Sequence, residues 1–273
     1  MRPANPAAGK LSSRNLAGLL ALGVGISGCA PPDAPKKLEY LCGYLFNHIG
    51  DEDDDALEEG ARNLRAWLAE GDNFIETQGG YSITKLPEKT VDALDGRNRS
   101  ARDLLGAAVA YDHRHKTRAV VQALTAADQM KVFPDNYEDY NRDYTRNPNC
   151  YPTRDCFELL GDTRSEAKIA GAAITTFNKL QYRWIEVDDT WISLRRNWLK
   201  RPADANVLGT DIVLEAQYFV GISMPWKGGT ARIIATWMDA DYGALPATDD
   251  FIKGQIVNSM SNEGDQLEAY LDK

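Results

Sequence analysis

Val220-Gly-Ile-Ser-Met-Pro-Trp-Lys-Gly-Gly-Thr-Ala-Arg-Ile-Ile-Ala-Thr-Trp237 is the stretch whose reading decides the fold. Its centre, Lys227-Gly228-Gly229-Thr230, has the composition of a two-residue Gly-Gly hairpin turn. Pairing outward from that turn sets Met224 opposite Ile233, Ile222 opposite Ala235 and Val220 opposite Trp237. The other face receives Pro225 with Arg232, Ser223 with Ile234 and Gly221 with Thr236. One face is apolar and the other mixed, the pattern of an antiparallel sheet with unequal sides.

Working outward, a second hairpin turns at Asp188-Asp189. It opposes Ile185 with Ile192 and Arg183 with Leu194 on one face, and Trp184 with Ser193 and Tyr182 with Arg195 on the other. Neither face is wholly apolar, so its arginines either stack on aromatic rings at a sheet surface or line a partly polar cavity. From Phe157 onward β-branched and aromatic residues dominate and the period shortens toward two. Upstream, Leu104 to His113 reads as a strand, with a helix start near Ser100–Asp103 as the alternative, and Thr117 onward is helical until Pro134. Asn147 to Asp155 reads as a loop. Downstream, Pro246 introduces a helix capped by Thr248 or Asp249, with the stripe Ile252, Ile256, Met260, Gly264, Leu267 and Leu271. So long a stripe needs a wide surface, and the antiparallel sheet supplies it.

Toward the N-terminus, Leu38, Leu41, Cys42, Leu45, Phe46 and Ile49 form one amphipathic face, and Leu57, Ala61, Leu64, Trp67 and Leu68 form another. Residues 37–70 are therefore a helical hairpin. Asp51, Asp53 and Asp55 match the first ligands of a calcium loop, but Ala56 stands where its glycine is needed and Arg62 where its bidentate glutamate belongs. The acidic run instead suits the N-terminus of the second helix. Residues 71–273 then make one α+β domain, and residues 29–36, with Pro31, Pro32 and Pro35, make an extended tether.

Arg2, Lys10 and Arg14 precede an apolar run from Leu16 to Ile26, shorter than the ~20 residues of a membrane span but sufficient for a signal peptide. Ile26-Ser27-Gly28-Cys29 resembles the lipobox of bacterial lipoproteins. The resemblance implies removal of residues 1–28, acylation of Cys29 and anchoring in the cell envelope. Ala30 after the cysteine is compatible, in that family, with transfer to the periplasmic face of the outer membrane. The chain has 273 residues and a formal charge of −9, and losing the basic leader makes it more acidic still. That argues against a nucleic-acid partner. In an oxidising compartment Cys150 and Cys156 are expected to pair, leaving Cys42 as a buried thiol.

The order of elements, a strand, helices, a run of strands and one long last helix, resembles the START-like, or helix-grip, superfamily of hydrophobic-ligand binders. Ala119-Val-Val-Gln-Ala-Leu-Thr-Ala-Ala-Asp-Gln-Met-Lys-Val-Phe-Pro134 is similar to its first helix and following turn, although Ala126 stands where an acidic residue is usual. The resemblance implies an antiparallel sheet wrapped on the long C-terminal helix. By position it implies a ligand cavity lined by Val220, Ile222 and Trp237 on the sheet and by Ile252, Ile256 and Met260 on the helix. The same residues would equally fill a closed core. Arg183 is the polar candidate for that cavity.

Of the histidines, His113 and His115 share a strand face and lack an identifiable third ligand, so no metal is assigned. No cofactor loop, catalytic elbow or metalloprotease helix is present, no catalytic residue is assigned, and a non-enzymatic role is favoured. The expected function is a membrane-tethered lipoprotein that binds or shuttles a lipid-like hydrophobic molecule. The alternatives are an envelope scaffold for an unidentified protein partner and an enzyme of the aromatase or cyclase kind.

Overall fold

The computed structural model describes residues 33–95, 101–169, 172–207, 210–243 and 247–273. The lipobox-like stretch with Cys29, and Pro246, lie outside the described residues. Four helices, α1 (Leu38–His48), α2 (Asp55–Ala69), α3 (Asn73–Gln78) and α4 (Glu88–Asp95), are interrupted by the short strand β1 (Tyr81–Ile83). Strand β2 (Leu105–His113) leads to α5 (Thr117–Thr125), α6 (Gln129–Val132), β3 (Asp139–Tyr144) and α7 (Cys150–Thr153). The strands β4 (Glu158–Ile169), β5 (Ala172–Val187), β6 (Thr190–Leu199), β7 (Ala203–Val207), β8 (Thr210–Trp226) and β9 (Gly229–Asp241) follow, and α8 (Asp249–Leu271) closes the chain.

Among the described residues nine strands form one antiparallel sheet in the order β1-β2-β9-β8-β6-β5-β4-β3, with β7 on β8. The architecture is α+β, an antiparallel sheet carrying a long C-terminal helix on one face and the N-terminal helices on the other. No helix among the described residues is long and apolar enough to cross a membrane.

The β5–β6 hairpin has the expected register, with Ile185 on Ile192 and Tyr182 on Arg195. Its turn residues Asp188 and Asp189 both take positive φ, as such a turn requires. The β8–β9 register differs from expectation by two residues. Lys227 and Gly228 make the turn, at φ 44° and 91°, and Ile222 faces Ile233 while Ser223 faces Arg232. A shift of two preserves which face each residue occupies. Gly229 serves instead for close approach, since a Cβ there would lie 2.0 Å from the His113 carbonyl oxygen.

The stretch read as a loop contains α7, a turn of helix closed by the Cys150–Cys156 disulfide with a Cα separation of 5.3 Å. Thr248 caps α8 by accepting a hydrogen bond from the Phe251 amide at 3.2 Å. Cys42 is fully buried against α2 and the sheet, and burial pushes its thiol up to about 12, so it is an inert packing residue. At the start of the described residues the Asn63 amide donates to the carbonyls of Ala34 and Pro35 at 2.9 and 3.1 Å.

The two faces of the sheet are unlike. The apolar face packs Val220, Ile222, Ile233 and Trp237 against Leu38, Leu41, Leu45 and Phe46 of α1 and Leu57 and Leu64 of α2. The mixed face receives α8 through Ile252, Ile256 and Met260, which pack on Ala107, Val109, Phe219 and Ile234. Helix α5 lies on the mixed face as well, with Val121 against Tyr182 and Trp184.

Candidate functional site

The residues expected to line one cavity therefore divide between two sides of the sheet. Val220, Ile222 and Trp237 are buried under the N-terminal hairpin, whereas Ile252, Ile256 and Met260 of α8 are buried against the opposite face. The physical reason is the pairing of apolar faces. The α1–α2 hairpin presents an almost continuous hydrocarbon surface, whereas the apolar stripe of α8 is narrow and flanked by Glu263, Gln266 and Glu268. The more apolar helices cover the more apolar face.

Arg183 does not reach the α8 side either. Its guanidinium donates to the carbonyls of Ile49, Asp51 and Asp53 in the α1–α2 turn and pairs with Asp54 at 2.6 Å. Arg196 on the same face donates to the Phe46 carbonyl at 3.1 Å, and burial pushes its pKa down to about 10. Together the two arginines satisfy carbonyls at the C-terminal end of α1, where a cation is favoured. Arg183 also borders an open cleft of about 650 Å³ whose other walls include Glu58, Glu158, Glu186, Phe157 and Trp191. With carboxylates around it, that cleft repels anions.

On the mixed face three cross-strand rows define the site. One runs Trp184, Ser193, Ser223, Arg232, Tyr111; the next Tyr182, Arg195, Gly221, Ile234, Val109; the third Leu180, Asn197, Phe219, Thr236, Ala107. Polar residues concentrate toward the β5–β6–β8 end and apolar ones toward β2, where α8 lies. Between α5 and the polar end sits a cavity of about 10 Å³ lined by Val121, Leu124, Tyr182, Ser193, Arg195, Gly221, Ser223 and Arg232. That is room for about one water molecule.

The arginines on this face have different situations. Arg142 of β3 is fully engaged: it donates to the Leu124 carbonyl and the Tyr144 hydroxyl at 2.7 Å each, and from Nε to the Tyr140 hydroxyl at 2.9 Å. Tyr182 also donates to the Leu124 carbonyl, at 2.8 Å, so Arg142 and the tyrosines close the C-terminus of α5. Arg232 is 1% exposed and makes one ion pair, from Nη2 to Glu263 of α8 at 2.6 Å, while its Nε and Nη1 have no partner. Arg195 Nε also lacks a partner, and its guanidinium lies over the rings of Phe219 and Tyr182, 4.9 and 5.7 Å from their centroids. Burial works against the Arg195 charge, but Tyr182, Tyr140 and Glu263 hold its pKa above the usual guanidinium value. Buried N–H groups left unpaired cost about 1–3 kcal/mol each, more when charged. Two such guanidinia beside one cavity leave donors that could satisfy an anion.

No titrating catalyst accompanies them. The lining residues include no histidine, cysteine or carboxylate, and the Tyr182 hydroxyl is committed to the Leu124 carbonyl. The guanidinia and hydroxyls of this lining can bind and orient an anionic group. Arg195 and Arg232 were legible only as members of the mixed face, and the signal that marks them is an arginine registered beside an aromatic row rather than beside a loop.

No family model and no curated protein matches this chain. Among solved structures it is similar to a START superfamily protein from Mycobacterium smegmatis, at 9% identity and TM-score 0.38 over 61% of this chain and 97% of that one. It is similar also to a STAR-related lipid transfer protein (fragment 25–204) from Xanthomonas axonopodis, at 9% identity and TM-score 0.41 over 64% and 97%. The di-domain ARO/CYC StfQ of the steffimycin biosynthetic pathway gives 12% identity and TM-score 0.42 over 81% and 61%. Likeness at this level carries no argument about binding or catalysis, and the chemistry rests on the residues of this chain.

Proposed function

We propose that this chain is an envelope lipoprotein, anchored through acylated Cys29, that binds the carboxylate or phosphate of an amphiphilic molecule between the sheet and α5. The observation that carries the reading is the pair of buried arginines, Arg195 and Arg232, which both line one cavity and both hold unpartnered nitrogens. Arg195 and Arg232 supply charge-assisted hydrogen bonds to the head group, and Ser193 and Ser223 supply neutral ones. The apolar body of the molecule lies along Phe219, Val121 and Leu124, which already flank the guanidinia. Admission of anything larger than water requires α5, a helix of 9 residues, to lift from the sheet. This departs from a wholly apolar lipid cavity: recognition is by the head group.

Native mass spectrometry of the protein extracted gently from envelopes tests the proposal. An adduct that carries an acidic group and is released on denaturation is expected. Protein that is ligand-free and stays so when incubated with fatty acid or phospholipid micelles would overturn it.

Anchoring has a separate test. Cys29→Ala is expected to leave an unprocessed precursor or a soluble product, because stable attachment needs more than one acyl chain and the variant can carry none on that sulfur. Fractionation and intact mass decide it, and unchanged processing with unchanged membrane pelleting would refute lipidation.

A further inference from the structure

C-terminal to Glu263, the α8 partner of Arg232, the helix meets the end of β2, where the chain turns from His113 through Arg114 and His115 into α5. Glu268 and Asp272 lie one helical turn apart at the C-terminal end of α8 and face that turn. His115 Nε2 is 3.0 Å from Asp272 Oδ1 and 3.9 Å from Glu268 Oε1, and ligand atoms of the three residues all lie within 4.8 Å of one another. We propose that His115, Glu268 and Asp272 form a site for a divalent transition-metal ion, Zn²⁺ by its ligand chemistry, that joins the last turn of α8 to the end of β2.

The geometry fits with small adjustment. Bonds of 2.0–2.2 Å in a tetrahedral site place ligand atoms roughly 3.3–3.6 Å apart, and the observed separations bracket that value. One imidazole and two carboxylates select zinc or a similar borderline ion over calcium or magnesium, which prefer all-oxygen shells. Asp272 is 43% exposed, so solvent can supply the fourth ligand, leaving an open position. Glu268 is also oriented from behind: its second oxygen, Oε2, is held by Nδ1 of His113 at 2.8 Å, and His113 is itself buried. A buried histidine that fixes a ligating carboxylate is an outer-shell arrangement seen at metal sites.

The present counter-cation is Arg114, with Nε 2.9 Å from Glu268 Oε1 and Nη2 2.5 Å from Asp272 Oδ2. Its side chain is 74% exposed, so its ion pairs are weak and screened by solvent. Displacing it costs little, and the negative end of the helix favours the incoming cation. Arg114 is thus a competitor for the site, which yields an unusual expectation: removing it strengthens metal binding.

The test is titration of chelator-treated full-length protein with ZnCl₂, followed by calorimetry and thermal unfolding. One equivalent is expected to bind, with Tm rising by about 5–10 °C at a hundredfold excess over Kd. His115→Ala and Asp272→Asn are each expected to weaken binding at least a hundredfold, His113→Asn about tenfold, and Arg114→Ala to tighten it several-fold. Magnesium in the same titration is expected to produce neither signal. Absence of stoichiometric Zn²⁺ binding, or binding unchanged in both His115→Ala and Asp272→Asn, would overturn the proposal. So would an Arg114→Ala protein that is less stable and binds no metal.

Discussion

Trp237→Ala is expected to lower the free energy of unfolding by about 3–5 kcal/mol and to leave head-group binding at Arg195 and Arg232 unchanged. Trp237 is fully buried on the apolar face of the sheet, where its ring meets Phe46 of α1 edge-on at 5.8 Å and its Nε1 donates to the Thr84 carbonyl at 2.7 Å. Gly106 on the neighbouring strand leaves room for it, since a Cβ there would lie 2.7 Å from the indole. Truncation removes this packing and orphans the Thr84 carbonyl, while β9 shields the mixed face from the change. Urea unfolding at constant m measures the loss, and ligand titration measures the binding. A variant of near-normal stability that no longer binds would return Trp237 to a ligand cavity and reverse the assignment of faces.

The alternation in β8 and β9 is enough to separate the residues of the apolar face from those of the mixed face, and a two-residue error in register does no harm because parity survives it. It cannot say which helix covers which face. Both the α1–α2 hairpin and α8 are amphipathic, and the choice depends on comparing whole surfaces that are far apart in the chain. The stripe of Ile252, Ile256 and Met260 reads correctly as a sheet-packing edge, yet its partners are Ala107, Val109, Phe219 and Ile234 rather than Val220, Ile222 and Trp237. Arg183, opposite Leu194 on the face of Ile185 and Ile192, lies at the flank of the α1–α2 turn, whose carbonyls it satisfies. Arg195 and Arg232 carry no local signal of their lack of partners. An unpaired nitrogen is a property of everything within hydrogen-bonding distance, and here those neighbours come from β5, β8, α5 and α8. His115 carries no local signal of its neighbours for the same reason: Glu268 and Asp272 lie at the opposite end of the chain.

Arg195→Met is expected to raise stability while weakening head-group binding, and the contrast with Arg142→Met makes the result diagnostic. At Arg195 the substitution removes a buried Nε–H without a partner, worth about 1–3 kcal/mol of desolvation, and forfeits cation–π contact of about 0.5–2 kcal/mol with Phe219 and Tyr182. Methionine restores part of that contact through its sulfur and fills a similar length. The net is a gain of about 1 kcal/mol, or a Tm rise of about 2–4 °C for a domain of this size. Head-group affinity falls about 10–100-fold, since a charge-assisted hydrogen bond of about 1.5–3 kcal/mol is lost. Arg142→Met, by contrast, removes the buried guanidinium's hydrogen bonds to the Leu124 carbonyl and to the hydroxyls of Tyr140 and Tyr144, and it is expected to cost about 3–5 kcal/mol. Thermal unfolding of the two variants beside a titration with a fatty acid separates the roles. An Arg195→Met protein that is both less stable and unimpaired in binding would make Arg195 another structural arginine and remove the anion site, because a charge kept unpaired in a protein interior is explained only by what it is kept for.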